Sequence, residues 1–228
     1  MIFISAPFGN FLQFDNTISV TGTFTLKPRS GRFKQIIKTL RYVPTKSGWA
    51  WRNALGLRNP GIVKGLAKHK LYNVLSIASL ENDDWQKLYN LIPKNTNVEL
   101  NISCPNVDDH PNLNKNWLND NRKWCIVKVP PTISTKQIDD LVDLGYNQIH
   151  ASNTLQTPKG GLSGKILQTY TKNIILYLSR IHPHVQIIAG GGITSSKDAQ
   201  NYIDAGADHI SLGSICFTPW KIKGITNQ

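Results

Sequence analysis

From residue 16 to residue 80 this 228-residue chain carries no Asp or Glu. The same stretch holds 12 Lys and Arg, and the remaining 14 basic and 14 acidic residues cancel, so the whole net charge of +12 falls on one region. Acid-free basic sequence cannot neutralise itself locally. It either attracts anions (phosphates, carboxylates, RNA, an acidic protein surface) or forms a solvated basic face. Cysteine is equally scarce: Cys104, Cys125 and Cys216 are an odd number at no metal-ligand spacing. That excludes a disulfide scaffold and points to a reducing, cytoplasmic setting. No apolar run approaches the roughly 18 residues of a membrane span. The opening Met1-Ile2-Phe3-Ile4-Ser5 lacks the basic and long apolar regions of a secretory signal. Linkers, repeats and low-complexity segments are also missing, so one domain over 1–228 is expected.

Short apolar, β-branched runs recur at 2–5, 18–23, 73–77, 98–102, 124–129, 147–151, 185–189 and 209–212. Helical patterns lie between many of them. Residues 83–92 follow Asn82 and stop at Pro93, and 165–181 and 197–205 read the same way, the latter ending at Gly206. Residues 135–144 put Ile138, Leu141 and Val142 on one face, with Ser134 and Gln137 as a capping box and Gly145 at the C′ position. Strand and helix in alternation predict a parallel sheet, and eight such strands predict a (β/α)8 barrel. The first unit looks shortened, with about a dozen residues between its strands and a hairpin-like Asp15-Asn16 turn, and little room is left for a full last helix. Region 26–59, with Pro28, Gly31, Pro44 and Gly48, is expected to be long and irregular.

Chemistry in such a barrel gathers at the carboxyl ends of the strands. The fourth run ends in Asn101-Ile102-Ser103-Cys104-Pro105-Asn106, a thiol between carboxamides, which alone fits either a small buried core residue or a proton acceptor. The fifth delivers Lys128, a cation that burial would penalise unless an anion or electron-rich ring met it. The sixth delivers Ser152, Asn153 and Thr154, then the glycine-rich 160–164 ending at Gly164. The seventh ends in Gly190-Gly191-Gly192 before a helix, and the eighth in Gly213-Ser214. Glycines between strand and helix let backbone N–H groups approach an anion, and barrels commonly hold phosphate in the last two loops.

Taken together, N-I-S-C-P-N, V-K-V-P-P, A-S-N-T, G-G-L-S-G, A-G-G-G-I and S-L-G-S, with T-F-T-L-K-P-R-S-G at 23–31 and N-A-L-G-L-R-N-P-G at 53–61, resemble the FMN-binding barrel of dihydroorotate dehydrogenases. The likeness runs over nearly the whole chain in order and is greatest to the soluble class with a cysteine base. It implies FMN as cofactor and oxidation of dihydroorotate to orotate. Cys104 would accept the proton from C5, while Asn53, Asn101, Asn106, Asn153 and Thr154 would hold the substrate. Lys128, Ser152, Gly164, Gly191, Gly192, Gly213 and Ser214 would hold the flavin, with no metal.

The chain departs from the pattern at one cation. No lysine follows the first strand, and Gly22 stands near the place where the cysteine class has one after strand two, with Lys27 as a possible substitute. The family's membrane-docking helices are missing, so no membrane partner is expected. A homodimer fits the pattern, and the electron acceptor stays open. Two other readings use the same residues. One is an RNA-directed flavin reductase similar to dihydrouridine synthases, which the basic 16–80 segment would suit. The other is an FMN-binding protein without dihydroorotate turnover.

Overall fold

The computed structural model describes residues 1–226 except 82, 104–112, 114 and 120, so the stretch with Cys104 and Asn106 lies outside the described residues. The strands are β1 (Ile2–Ile4), β2 (Thr17–Phe24), β3 (Arg41–Thr45), β4 (Gly48–Asn53), β5 (Val74–Ile77), β6 (Val98–Asn101), β7 (Cys125–Lys128), β8 (Gln148–Ala151), β9 (Gly161–Gly164), β10 (Gln186–Gly190) and β11 (His209–Leu212). The helices are α1 (Arg32–Thr39), α2 (Ile62–Ala67), α3 (Asp84–Leu91), α4 (Thr135–Asp143), α5 (Gln168–Ile181), α6 (Ser196–Asp204) and α7 (Lys223–Thr226). Eight strands close into a parallel barrel in the order β1-β11-β10-β8-β7-β6-β5-β2. They coincide with the eight apolar runs read from the sequence.

Strand alternation divides the core in two. Residues such as Ile4, Leu75, Ile77, Leu100, Val127 and Ile149 point outward and pack under the helices. Residues of the opposite parity, Phe3, Val20, Val74, Trp124, Ile126 and Ile188, form a second cluster inside the barrel. There the Trp124 ring meets Phe3 edge-on, with centroids 5.1 Å apart. Higher in the same interior the residues turn polar, and that change builds the site.

Helix ends follow the local chemistry. The Ser134 hydroxyl accepts the Gln137 N–H and the Gln137 carboxamide accepts the Ser134 N–H, so both donors are satisfied where α4 begins. Gly145 closes that helix at φ +100°, a conformation costly for any other residue. The Ser195 hydroxyl caps α6 through the Asp198 N–H. At the start of α3 the Asp84 carboxylate accepts the N–H groups of Leu80 and Glu81; Asn82 lies outside the described residues.

The shortened first unit holds only a 3-10 turn, Phe8–Asn10, between β1 and β2. Its Asp15-Asn16 turn, with Asn16 at φ +59°, leads into a parallel neighbour rather than the second arm of a hairpin. Beyond β11 come 3-10 turns at Ser214–Phe217 and Pro219–Lys221 and the four-residue α7.

Region 26–59 is not irregular. It contains α1 and the antiparallel hairpin β3–β4, and β4 pairs in turn with β9, giving a three-stranded sheet beside the barrel. The hairpin turns at Gly48, φ +100°. One of its faces is aromatic: Trp49 stacks on Tyr42 at 5.0 Å, Tyr42 meets Trp51 at 4.9 Å, and Trp51 meets Phe217 of the barrel at 4.2 Å. Packing on Phe217 sets the sheet against the strand ends.

Replacing Ser134 by Ala removes one half of the capping box. Urea unfolding is expected to show a loss of about 1 kcal/mol, with the denaturant slope unchanged.

Candidate active site

The carboxyl ends of the strands border one cavity of ≈1310 Å³. Parallel register sets its floor, because Asn101 of β6 lies opposite Lys128 of β7, and Lys128 opposite His150 of β8. The Asn101 Oδ1 accepts the Ser103 hydroxyl at 2.7 Å and the Asn153 Nδ2 at 3.2 Å, while its Nδ2 donates to Thr23 Oγ1 at 3.3 Å. Asn153 Nδ2 also donates to Ser103 Oγ at 2.6 Å, and Asn153 Oδ1 accepts the Thr154 N–H at 2.8 Å. Each carboxamide therefore has a fixed orientation. Asn53, at the end of β4, lines the same cavity, and its Oδ1 accepts the Leu55 N–H at 3.4 Å.

The loop after Asn53 passes through Gly56 at φ +59° and Leu57 at φ +52°; the latter is an uncommon conformation for a branched residue. Asn59 holds it there. Its buried carboxamide accepts the N–H groups of Gly61 (2.8 Å) and Thr25 (3.2 Å) and donates to Leu57 O (2.6 Å) and Thr25 Oγ1 (2.8 Å). All its polar valences are spent tying the loop to the end of β2.

Opposite the carboxamides lies a glycine-lined wall. Gly191, Gly213, Ser214 and Ser152 border the cavity, whereas Gly164 and Gly192 stand behind it, packed on one another. A Cβ on Gly192 would lie 2.9 Å from Gly164 O, and one on Gly191 3.0 Å from Leu167, so neither position admits a side chain. The Tyr202 hydroxyl donates to Gly191 O at 2.6 Å and Gln168 Nε2 to Gly192 O at 2.9 Å. In trans peptides this aims the following N–H groups away from those partners. Ser152 Oγ meets Thr171 Oγ1 at 2.9 Å, and Thr171 donates to Gly190 O at 2.9 Å.

Beneath the floor a carboxylate is sealed in the barrel. Glu99 is fully buried; its Oε1 accepts the Ser76 hydroxyl at 2.7 Å and lies 3.9 Å from Lys128 Nζ, and its Oε2 meets His150 Nδ1 at 2.7 Å. Burial alone would raise the Glu99 carboxyl, but the Lys128 ammonium, His150 and Ser76 outweigh it and hold it down to about 2. Burial, then the Lys128 charge, push His150 below its ordinary value. An ionised Glu99 can only accept, so His150 Nδ1 carries a proton. Its Nε2 lies where a Cβ on Gly190 would come within 2.8 Å. Ser76 continues the chain to Thr23 Oγ1 at 2.9 Å, hence to Asn101. Lys128 is the one buried lysine among the described residues, and its charge is balanced from below while its position borders the cavity.

Of the residues singled out from the sequence, Asn53, Asn101, Asn153, Thr154, Lys128, Ser152, Gly191, Gly213 and Ser214 share this cavity. Gly164 and Gly192 support its wall, and Cys104 and Asn106 lie outside the described residues, directly after the cavity-lining Ser103. Glu99, His150 and Ser76 lie outside every motif quoted above, and Thr23 and Asn59 lie inside two of them without an assigned role. A carboxylate in the middle of the apolar V-E-L-N run, two residues from Asn101 and so on the same face, was the available signal. Gly22 is built in: at φ +109° a Cβ there would lie 2.4 Å from Ser76 O, so a lysine cannot stand in its place on this backbone. The other cysteines are structural. Burial pushes the thiols of Cys125 and Cys216 up to about 12, and each donates only to a main-chain carbonyl. Glu99→Gln is expected to cost roughly 3 kcal/mol at neutral pH, since it leaves Lys128 buried without its counter-charge. A depressed carboxyl contributes its stability above its ordinary value of 4.5 and loses it as the pH falls toward 2. Unfolding curves of wild type and variant should therefore converge over that acid interval; a gap that stays constant would contradict the ionised assignment.

Comparison with known proteins bears on family and fold. The chain is 27% identical over 249 residues to the catalytic subunit of dihydroorotate dehydrogenase B (NAD(+)) from Malacoplasma penetrans, covering 92% of this chain and 80% of that one. It is 29% identical over 265 residues to the protein of the same name from Thermotoga maritima, covering 100% and 94%. In fold it resembles the crystal structure of DHODH in complex with ferulenol from Eimeria tenella, with TM-score 0.71 and 17% identity, over 99% of this chain and 80% of that one. Among the described residues no helix is long and apolar enough to cross a membrane. The model of the family described as dihydroorotate dehydrogenase matches residues 8–227, and the chain belongs to that family.

Proposed function

We propose that this protein oxidises dihydroorotate to orotate with FMN bound at the mouth of the barrel. One observation carries the reading: a single cavity brings together the fixed carboxamides, the buried, charge-balanced Lys128 on the strand between them, and a glycine wall, and Ser103, the residue before Cys104, lines it. The donor set suits a flavin. Gly191, Gly213 and Ser214 form a cradle for a phosphate, Ser152 offers a hydroxyl, and Lys128 supplies positive charge near the ring. Gly164 and Gly192 keep that cradle open by lacking side chains.

Bound FMN supplies the two-electron acceptor for the hydride that leaves C6 of dihydroorotate. The protein's part is orientation and proton transfer. Asn53, Asn101 and Asn153 present carboxamides that match the ring N–H and C=O groups of a pyrimidine, Thr154 lines the same cavity, and Asn106 is assigned from the family resemblance alone. Because Asn101 and Asn153 are already oriented by Ser103 and Thr23, the substrate meets a preformed surface. Cys104 takes the C5 proton. A thiol acts as base only where cationic or dipolar surroundings lower its pKa, and Cys125 and Cys216, held up near 12, cannot take the role. Lys128 places its charge where negative charge develops on oxidation, and Glu99 keeps it there. With Gly22 closing the strand-two position, Lys128 is the cation on which the site relies.

Mixed anaerobically with dihydroorotate, the flavin-loaded protein should bleach and release orotate in equal amount. Cys104→Ala should slow that bleaching by about 10²-fold or more while leaving the flavin bound. Unchanged bleaching in the variant would remove Cys104 from the reaction, and no bleaching in the wild type would remove dihydroorotate.

A further inference from the structure

The cavity does not end above the barrel. Its lining also includes Phe11 of the β1–β2 connection and a basic arm of the chain, Arg32 of α1 and Lys64, Lys68 and Lys70 in and after α2. Lys64 and Lys68 are one turn apart and share a face of α2. Arg32 lines the same cavity, its guanidinium carbon 5.4 Å from the centre of the Phe11 ring. Nothing in the sequence between residues 16 and 80 carries negative charge, and among the described residues none of these four cations has an ion-pair partner.

Surface lysines need no partner, but Arg32 is half-buried. Loss of hydration depresses its pKa, and the Phe11 ring is its described contact. A guanidinium kept from water beside further cations, in a concavity, is arranged for a multiply charged anion. A monocarboxylate such as dihydroorotate needs one cation, and its ring is met by the carboxamides. The glycine cradle for the flavin phosphate lies at the ends of β10 and β11, whereas the arm follows β2 in the chain.

We infer that this arm binds a diphosphate group, either free or as part of a nucleotide, separately from the flavin and from dihydroorotate. Lys64, Lys68 and Lys70 supply point charges, and Arg32 supplies a planar donor fork for two oxygens of one phosphate. The inference does not depend on dihydroorotate turnover.

The test is calorimetric titration of the protein as purified, with inorganic pyrophosphate and with adenosine diphosphate in parallel at low salt. Saturable binding of at least one is expected. In Lys64→Gln/Lys68→Gln it should weaken tenfold or more. Lys34→Gln/Lys38→Gln removes the same charge from the exposed face of α1, away from the cavity, and should bind as the wild type does. Tighter binding of adenosine diphosphate assigns the arm to a nucleotide, and equal binding assigns it to the free diphosphate. No saturable binding of either probe at millimolar concentration would overturn the inference. Equal weakening in both double variants would do so as well, because it would show attraction to a general basic face, as for RNA or an acidic surface. Flavin absorbance recorded on the same samples keeps the outcomes apart: flavin lost with pyrophosphate binding kept counts against the FMN reading alone.

Discussion

A carboxylate with no access to water, inside a closed barrel, constrains everything above it. Glu99 balances the charge of Lys128, and Lys128, His150 and Ser76 all point at it and hold it ionised. An isolated charge at that depth would cost several kcal/mol, and the same group with its partners in place becomes a rigid node. The lower barrel is apolar, with Phe3, Trp124 and Ile126 filling the space, so the polar node sits at one height, just under the strand ends. From it one branch rises to Lys128 and another passes through Ser76 and Thr23 to the carboxamides of Asn101 and Asn153. Cation and carboxamides are thereby positioned by one network.

This arrangement gives physical content to the departure at Gly22. A lysine after strand two would bring a second positive charge to the mouth, but the Gly22 backbone runs so close to Ser76 that no side chain fits. The chain is instead organised around a single buried lysine. The positive charge of the acid-free 16–80 stretch lies on loops, on the β3–β4 hairpin, on α1 and on α2, part of it lining the cavity and part exposed.

Much of this was legible in the sequence, for local reasons. Eight apolar runs, each short and β-branched, mark strands whatever their neighbours. Ser134, Gln137 and Gly145 announce both ends of a helix within a dozen residues. Strand-end residues such as Asn101, Lys128 and Asn153 fall together once a barrel is assumed, because closure brings all carboxyl ends to one rim. The three-stranded sheet was not legible, since the partner of β4 is β9, more than 100 residues downstream and glycine-rich. Nor was the Glu99 node: Ser76, Glu99 and His150 come from three strands, and each read alone is a polar interruption in an apolar run. Only parity, with Glu99 on the same face as Asn101 and His150 on the same face as Ser152, could have connected them.

In the proposed function Lys128 would face the flavin while Glu99 anchors it from below. The most direct measurement is the FMN dissociation constant of reconstituted apoprotein, followed by flavin fluorescence, for wild type, Lys128→Met and Lys46→Met. Lys46 carries an equal charge in the exposed hairpin turn, outside the cavity. Binding roughly tenfold weaker or worse in Lys128→Met, with Lys46→Met unchanged, is the predicted result, since removal of one charge-assisted contact is worth about 1.5–3 kcal/mol. FMN binding of equal strength in Lys128→Met and wild type would contradict it.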